Sequence, residues 1–192
     1  MTNYFWRQHL IVPLFTFTIV LGCIEWLDID ITISSYLYQL QGNQWALKYN
    51  WLLENILHTG ARNTSILLAL SLIFLFLSSF KYNLPFIDRK SWGYLLLTAL
   101  LSAFTIVALK KITQVDCPWD IQNFGGELSY LSIYQARPIN YPSASCFPAG
   151  HASSGYAWLG IFYLLKKHAP KYRCYGLGGV ISAGVLLGIT QQ

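Results

Sequence analysis

The chain has 192 residues, 54% of them hydrophobic and only 11% charged, where a soluble domain averages about a quarter charged. That composition excludes an ordinary soluble enzyme and puts most of the chain in an apolar medium. The net charge of +5 is not gathered into basic stripes or interleaved with stacking motifs, so it does not point to nucleic acid.

Five stretches carry no formal charge, 10–24, 63–80, 91–109, 152–165 and 174–192. At about 1.5 Å rise per residue, a stretch like 63–80 makes a helix of about 27 Å, close to the hydrocarbon thickness of a bilayer. The shorter stretches 10–24 and 152–165 need polar or aromatic flanks to cross. The expectation is an all-α polytopic membrane helix bundle with five transmembrane helices in a single domain over 1–192.

The first apolar run follows Arg7. Its Val20-Leu21-Gly22-Cys23 has the outline of a lipoprotein signal, but the run continues through Ile24 and Trp26, as an uncleaved helix would. Residues 27–62 form a segment between spans. Within it Trp45, Tyr49, Leu52, Leu53 and Ile56 recur at helical spacing opposite Asn50, Glu54 and His58, which predicts an interfacial amphipathic helix over 45–58. Asn63-Thr64 is placed to cap the second helix, which ends near Phe80. After a short turn containing Pro85, the third helix runs to Leu109. Gly125-Gly126, Pro138, Pro142 and Pro148 exclude continuous helix up to 148. A fourth helix starts at about Pro148. A basic turn with Pro170 leads into a fifth, whose Gly176, Gly179, Ser182, Ala183 and Gly184 permit close packing.

With the N-terminus inside and each stretch crossing once, the inner segments hold Arg7, Lys81, Arg89, Lys90, Lys166, Lys167, Lys171 and Arg173 against Asp88 alone. The outer segments hold five basic residues against seven acidic ones. The positive-inside bias therefore puts the long loop 110–151 outside, on the outer face of a cytoplasmic membrane.

That loop carries the chemistry. Pro148-Ala149-Gly150-His151 leads directly into a helix, so free backbone N–H groups converge beside a titratable imidazole and form an anion site. Lys110, at the end of the third helix, can reach back toward the same point and bind phosphate oxygens. Taken singly, each has a plainer reading: lysines at a helix end snorkel to the interface, and a histidine at a helix start caps or packs. The remaining histidines His9, His58 and His168 are not at metal-ligand spacing, and no metal or cofactor is expected. Ser153-Ser154-Gly155 lacks the spacing of a serine nucleophile and suits a packed helix start.

Together, Lys110, six residues, Cys117-Pro118 and then Pro148-Ala149-Gly150-His151 resemble the type 2 phosphatidic acid phosphatase superfamily of integral-membrane lipid phosphatases. Its first motif is Lys, six residues, Arg-Pro, and its second is Pro-Ser-Gly-His. Here Cys117 stands in the arginine's place and Ala149 in the serine's. The resemblance implies that Lys110 binds phosphate, that Ala149 and Gly150 offer backbone N–H groups, and that His151 protonates the leaving oxygen as general acid. Losing the arginine removes a bidentate phosphate clamp; Arg137 is one candidate to replace it.

Cys117 and Cys146 each sit beside one of the two motifs. A disulfide between them is expected in an oxidising outer compartment, with two free thiols as the other reading. Cys23 and Cys174 are expected to stay reduced.

The resemblance also implies six helices and a third motif after the fifth, whose histidine attacks phosphorus to form a phosphohistidine. The sequence reaches Gln192 without it, so the expectation is a C-terminally incomplete phosphatase-like domain. The function expected is hydrolysis of a lipid phosphomonoester or diphosphate, with a phosphorylated membrane lipid as partner. Phosphatidic acid, phosphatidylglycerol phosphate, a polyprenyl diphosphate and lipid A phosphate are the candidates. A lipid phosphotransferase using the same site, or a non-catalytic protein that binds a phosphate headgroup, are the alternatives.

Overall fold

The computed structural model describes residues 2–48, 50–51, 59–82 and 87–189. Among these the chain is helical, with one isolated bridge between Ile121 and Leu128 and no strand. We number the helices α1 (Tyr4–Trp26), α2 (Ile29–Leu40), α3 (Ala61–Ser78), α4 (Arg89–Thr113), α5 (Gly150–Tyr156), α6 (Ile161–His168) and α7 (Arg173–Ile189).

Four helices among the described residues are long and apolar enough to cross a membrane: Tyr4–Trp26, Ala61–Ser78, Arg89–Asp120 and Pro170–Ile189, with mean hydropathy from 1.3 to 1.9. At most 6% of each window is buried within the protein. Among the described residues the buried apolar side chains are Leu72, Leu95 and Leu164, which form one cluster, and separately Ile121 and Phe124, while Phe74, Phe104 and Leu186 are exposed. A bundle apolar on its outside is the arrangement that hydrocarbon favours and water does not. The chain is a membrane protein.

The fifth expected crossing, 152–165, is not one uninterrupted α-helix. A 3₁₀ turn at Ala157–Gly160 separates α5 from α6, so five transmembrane helices are not established. The turn sits where Gly160 approaches the Thr98 hydroxyl on α4, a tightening that brings the backbone against its neighbour.

One helix start is corrected, and one helix is added. The second helix begins at Ala61, so Asn63 and Thr64 lie inside it instead of capping it. Residues 27–62 contain α2, a helix that the apolar and amphipathic patterns do not predict. Of the predicted amphipathic helix 45–58, residues 49 and 52–58 lie outside the described residues. Residues 46–48 form a turn, and Trp45 precedes it outside any helix.

The chain divides into two compact units, Met1–Trp45 with Pro118–Pro138, and Ala46–Cys117 with Ile139–Gln192. In the first, Trp45 donates its indole N–H to the Phe124 carbonyl at 3.3 Å and packs with Tyr38, Trp119 and Phe124. Glu25 accepts from the Ser132 hydroxyl and from the Ile133 N–H. Burial and the neighbouring Glu25 hold the Asp30 carboxyl above the usual range.

In the second unit, α5 and α7 meet at glycine. A methyl on Gly155 would lie 2.7 Å from the Gly184 Cα, so the two backbones touch as small residues allow in membrane bundles. At one end of α4, Asp88 accepts from Lys167 at 2.7 Å and from Ser91 at 2.7 Å, with His168 Nε2 at 3.0 Å. Lys167, then Ser91, hold the Asp88 carboxyl well below the usual carboxylate range. This cluster ties α6 to the start of α4.

Candidate functional site

Helix α4 ends because Gln114 takes a left-handed conformation, φ 45°, and its N–H returns to the Lys110 carbonyl at 3.2 Å. With its carbonyl used in that cap, Lys110 projects its side chain across to the segment before α5. Its Nζ donates to the Ser145 carbonyl at 2.6 Å. A methyl placed on Gly150 would meet the same Nζ at 3.4 Å. The cation therefore stands over Gly150 in the Pro-Ala-Gly-His turn, and the structure brings the two halves of the sequence site together.

Three more links fasten the segment 145–147 to the end of α4. Thr113 donates its hydroxyl to the Phe147 carbonyl at 2.8 Å, and the Cys146 N–H donates to the Val115 carbonyl at 3.1 Å. Cys117 and Cys146 form a disulfide with their Cα atoms 5.2 Å apart, as expected, while Cys23 and Cys174 are free thiols. Thr113 was legible in principle, since it lies three residues after Lys110 on the same helix face. Ser145 was not, because it acts through its backbone.

Ala149 takes the N-cap position of α5, after a cis Phe147–Pro148 peptide. Ser153 supplies the first backbone bond of the helix, donating to the Ala149 carbonyl at 3.0 Å. The Gly150, His151 and Ala152 amides precede it in the first turn, where an α-helix has no internal acceptors for them. The hydroxyls of Ser153 and Ser154 are turned back onto the Ala149 and His151 carbonyls, at 2.6 and 2.7 Å. They brace the turn, and neither is disposed as a nucleophile. His151 is half-buried, with its Nε2 shielded from solvent.

The last turn of α7 comes to this same end. A methyl on Gly188 would lie 3.5 Å from the Ala152 Cβ. His168 belongs to the opposite end, bonded to Ser91 at 2.9 Å, and Ser91 lies about 28 Å along α4 from Lys110. Arg137, the candidate for the missing arginine, belongs to the first unit.

The second unit thus carries a lysine, the first-turn amides of α5 and an imidazole at one end of apolar helices. A family model for the PAP2 superfamily matches residues 91–190, just over half of the chain. The chain belongs to that superfamily, a family of phosphatase-like enzymes acting on phosphate esters. No curated protein and no solved structure matches it.

Proposed function

We propose that this chain is a membrane lipid phosphatase, cleaving a lipid phosphomonoester or diphosphate at the outer face of the cytoplasmic membrane. The observation that carries the reading is the Lys110 ammonium held over Gly150 of the Pro-Ala-Gly-His turn. A fixed cation and first-turn amides at one point favour the charge of a transferring phosphoryl group, more so where water is partly excluded. The lipid substrate rests on the membrane helices, which would bring a headgroup rather than a free phosphate to this end. In this reading the broken helix 150–168 makes the fifth crossing.

His151 has the general acid's part. The nucleophile that the resemblance implies, a histidine not among residues 1–192, would attack phosphorus as the P–O ester bond breaks and His151 gives its proton to the departing oxygen; water would then hydrolyse the phosphohistidine. The resemblance puts that nucleophile after the fifth helix, and the packing of Gly188 against Ala152 brings the end of α7 to His151. A phosphotransferase would differ only in the acceptor.

Phosphate release from phosphatidic acid vesicles, by a protein that carries residues 1–192 together with the histidine nucleophile and by its His151→Ala variant, tests the reading. Release that disappears in the variant is the expected result. The absence of release from both, with orthovanadate still bound in a Lys110-dependent way, would replace the enzyme with a headgroup-binding protein.

A further inference from the structure

The end of the second unit opposite Lys110 is built from helix ends held together by polar contacts. Arg89, at the start of α4, donates from Nε and Nη2 to the Ser79 carbonyl at the end of α3, at 3.1 and 2.9 Å. Its guanidinium lies 4.4 Å from the centre of the Phe80 ring. Asp88 accepts from Lys167 at the end of α6, and Lys167 also donates to the Ser91 hydroxyl at 3.1 Å. The turn Pro170–Tyr172 then leads directly into α7.

These contacts decide which charges remain. Segments 81–90 and 166–173 hold seven lysines and arginines against the single carboxylate of Asp88. Lys167 occupies that carboxylate, and Arg89 is committed to a backbone carbonyl. Lys81, Lys90, Lys166, Lys171 and Arg173 are exposed, and neither segment has a second carboxylate to neutralise them.

Two features bear on what meets these cations. Arg89 stands about 32 Å along α4 from Lys110, close to one hydrocarbon thickness, so this end lies where apolar helices give way to a polar layer. Tyr82, Tyr172 and Tyr175 are exposed here, rings of the kind that settle at that level. The ammoniums of Lys81 and Lys171 lie 5.5 and 5.8 Å from the ring centres of Tyr82 and Tyr172, which keeps both charges close to the ring layer. A soluble anion would use the cations alone. A membrane lipid also uses the apolar faces that continue from them, through exposed side chains such as Leu97 on α4 and Ile181 on α7.

We propose that this end is a docking surface for anionic phospholipids, with phosphodiester headgroups held between the cations of 81–90 and those of 166–173. A cation beside an anionic membrane surface contributes about 1 kcal/mol, or about fivefold in affinity. A headgroup held there bridges α4 to the α6–α7 turn and reinforces the tie made by Asp88 and Lys167. The inference is independent of the phosphatase reading, since it involves neither Lys110 nor His151 and takes a phosphodiester as its ligand.

The test places the chain in phosphatidylcholine nanodiscs with a phosphatidylglycerol analogue that carries a diazirine close to its glycerol backbone. A phosphatidylcholine with the same diazirine is the companion probe, and adducts are mapped by mass spectrometry. The expected result is labelling of residues 80–82, 89–94 and 170–175 that favours the anionic probe at least about fivefold. In the wild type that preference should fade in about 0.5 M salt, where the Debye length is about 4 Å.

The combined Lys81→Gln, Lys90→Gln, Lys166→Gln and Lys171→Gln variant should lose the preference, and the four corresponding arginine replacements should keep it. Lys171→Gln alone should lower it by about two- to fivefold. The salt titration needs no variant, so it decides the question even where the fourfold glutamine variant folds poorly. Equal labelling by the two probes in the wild type would overturn the proposal and leave these cations to orient the chain on insertion alone. A preference that persists in the folded glutamine variant, or in high salt, would overturn it as well. A preference abolished by millimolar inorganic phosphate at constant ionic strength would overturn the lipid as occupant in favour of a soluble anion.

Discussion

The Nζ of Lys110 donates to the carbonyl of Ser145 at 2.6 Å, one residue before the half-cystine that is bonded to Cys117. The cation and the disulfide thus hold the same short segment, from either side, at the end of α4. The ammonium has a backbone acceptor, and under the proposed function a phosphate oxygen arriving over Gly150 would compete with that acceptor for it.

Replacing Lys110 by Met should weaken orthovanadate binding by about ten- to a hundredfold, the range expected when a charge-assisted hydrogen bond is lost. Lys110→Arg should recover part of it, since the charge survives but the reach and the planar fork differ. Titration by tryptophan fluorescence, with orthovanadate as the probe, measures both. Equal affinity in the wild type and Lys110→Met would remove Lys110 from the site.

The Cys117–Cys146 bridge closes a loop of sequence separation 29, which in the chain-entropy model stabilises by about 3–4 kcal/mol. The Cys117→Ser, Cys146→Ser double variant should melt lower than the wild type, and reductant should lower the wild type alone. Alkylation should modify two cysteines without reductant and four with it.

Thr113→Val should cost about 1 kcal/mol through the lost bond to the Phe147 carbonyl, and Thr113→Ser should restore it. Because Phe147 directly precedes Pro148 of the Pro-Ala-Gly-His turn, the proposed function expects the valine variant to weaken orthovanadate binding as well, whereas a residue important only for folding would move the melting curve alone.

Gly155→Ala should destabilise by about 1–3 kcal/mol, because its methyl would push into the Gly184 backbone. Gly178→Ala on the same bundle, where a methyl meets nothing within 4 Å, should be stabilising by a few tenths to about 1 kcal/mol through helix propensity. Denaturant unfolding in detergent compares them.

Asp88 gives the pH dependence. Its carboxyl is held below its ordinary value chiefly by Lys167 and Ser91, so its contribution is complete above the unfolded value of about 3.9 and is lost as pH falls toward the depressed folded value. Asp88→Asn should therefore be less stable than the wild type near neutral pH, with the gap closing as the medium is acidified below about pH 4. Since the pair is partly exposed, added salt should narrow the gap as well. A gap constant from pH 7 down to pH 2 would show that Asp88 acts without its charge.

The apolar spans were legible because a bilayer demands long uncharged helices, a property of composition that no tertiary contact can alter. The motif pair Lys110 and Pro148-Ala149-Gly150-His151 was legible for a similar reason, since residue type and chain order survive in the sequence whatever the fold. The Cys117–Cys146 bridge could be expected from the position of each cysteine beside a motif. Helix ends were read less well. Asn63-Thr64 has cap chemistry but lies inside α3, because an intrinsic preference worth about 1 kcal/mol yields to the packing of a whole helix. The break at Ala157–Gly160 had no local signal beyond Gly160; it is set by the approach of α4, through Thr98, to that glycine.

By itself the sequence determined that this is a helical membrane protein whose motif pair, Lys110 and Pro148-Ala149-Gly150-His151, places it in its family. Only the tertiary structure decided that Lys110 stands over Gly150, that Ser145 and Thr113 hold the turn, and that Arg89 ties α4 to the Ser79 carbonyl of α3. Those relations are made by backbone carbonyls and by the approach of helices. Neither has a letter in the sequence, because a carbonyl is common to every residue and an approach is made by no residue alone.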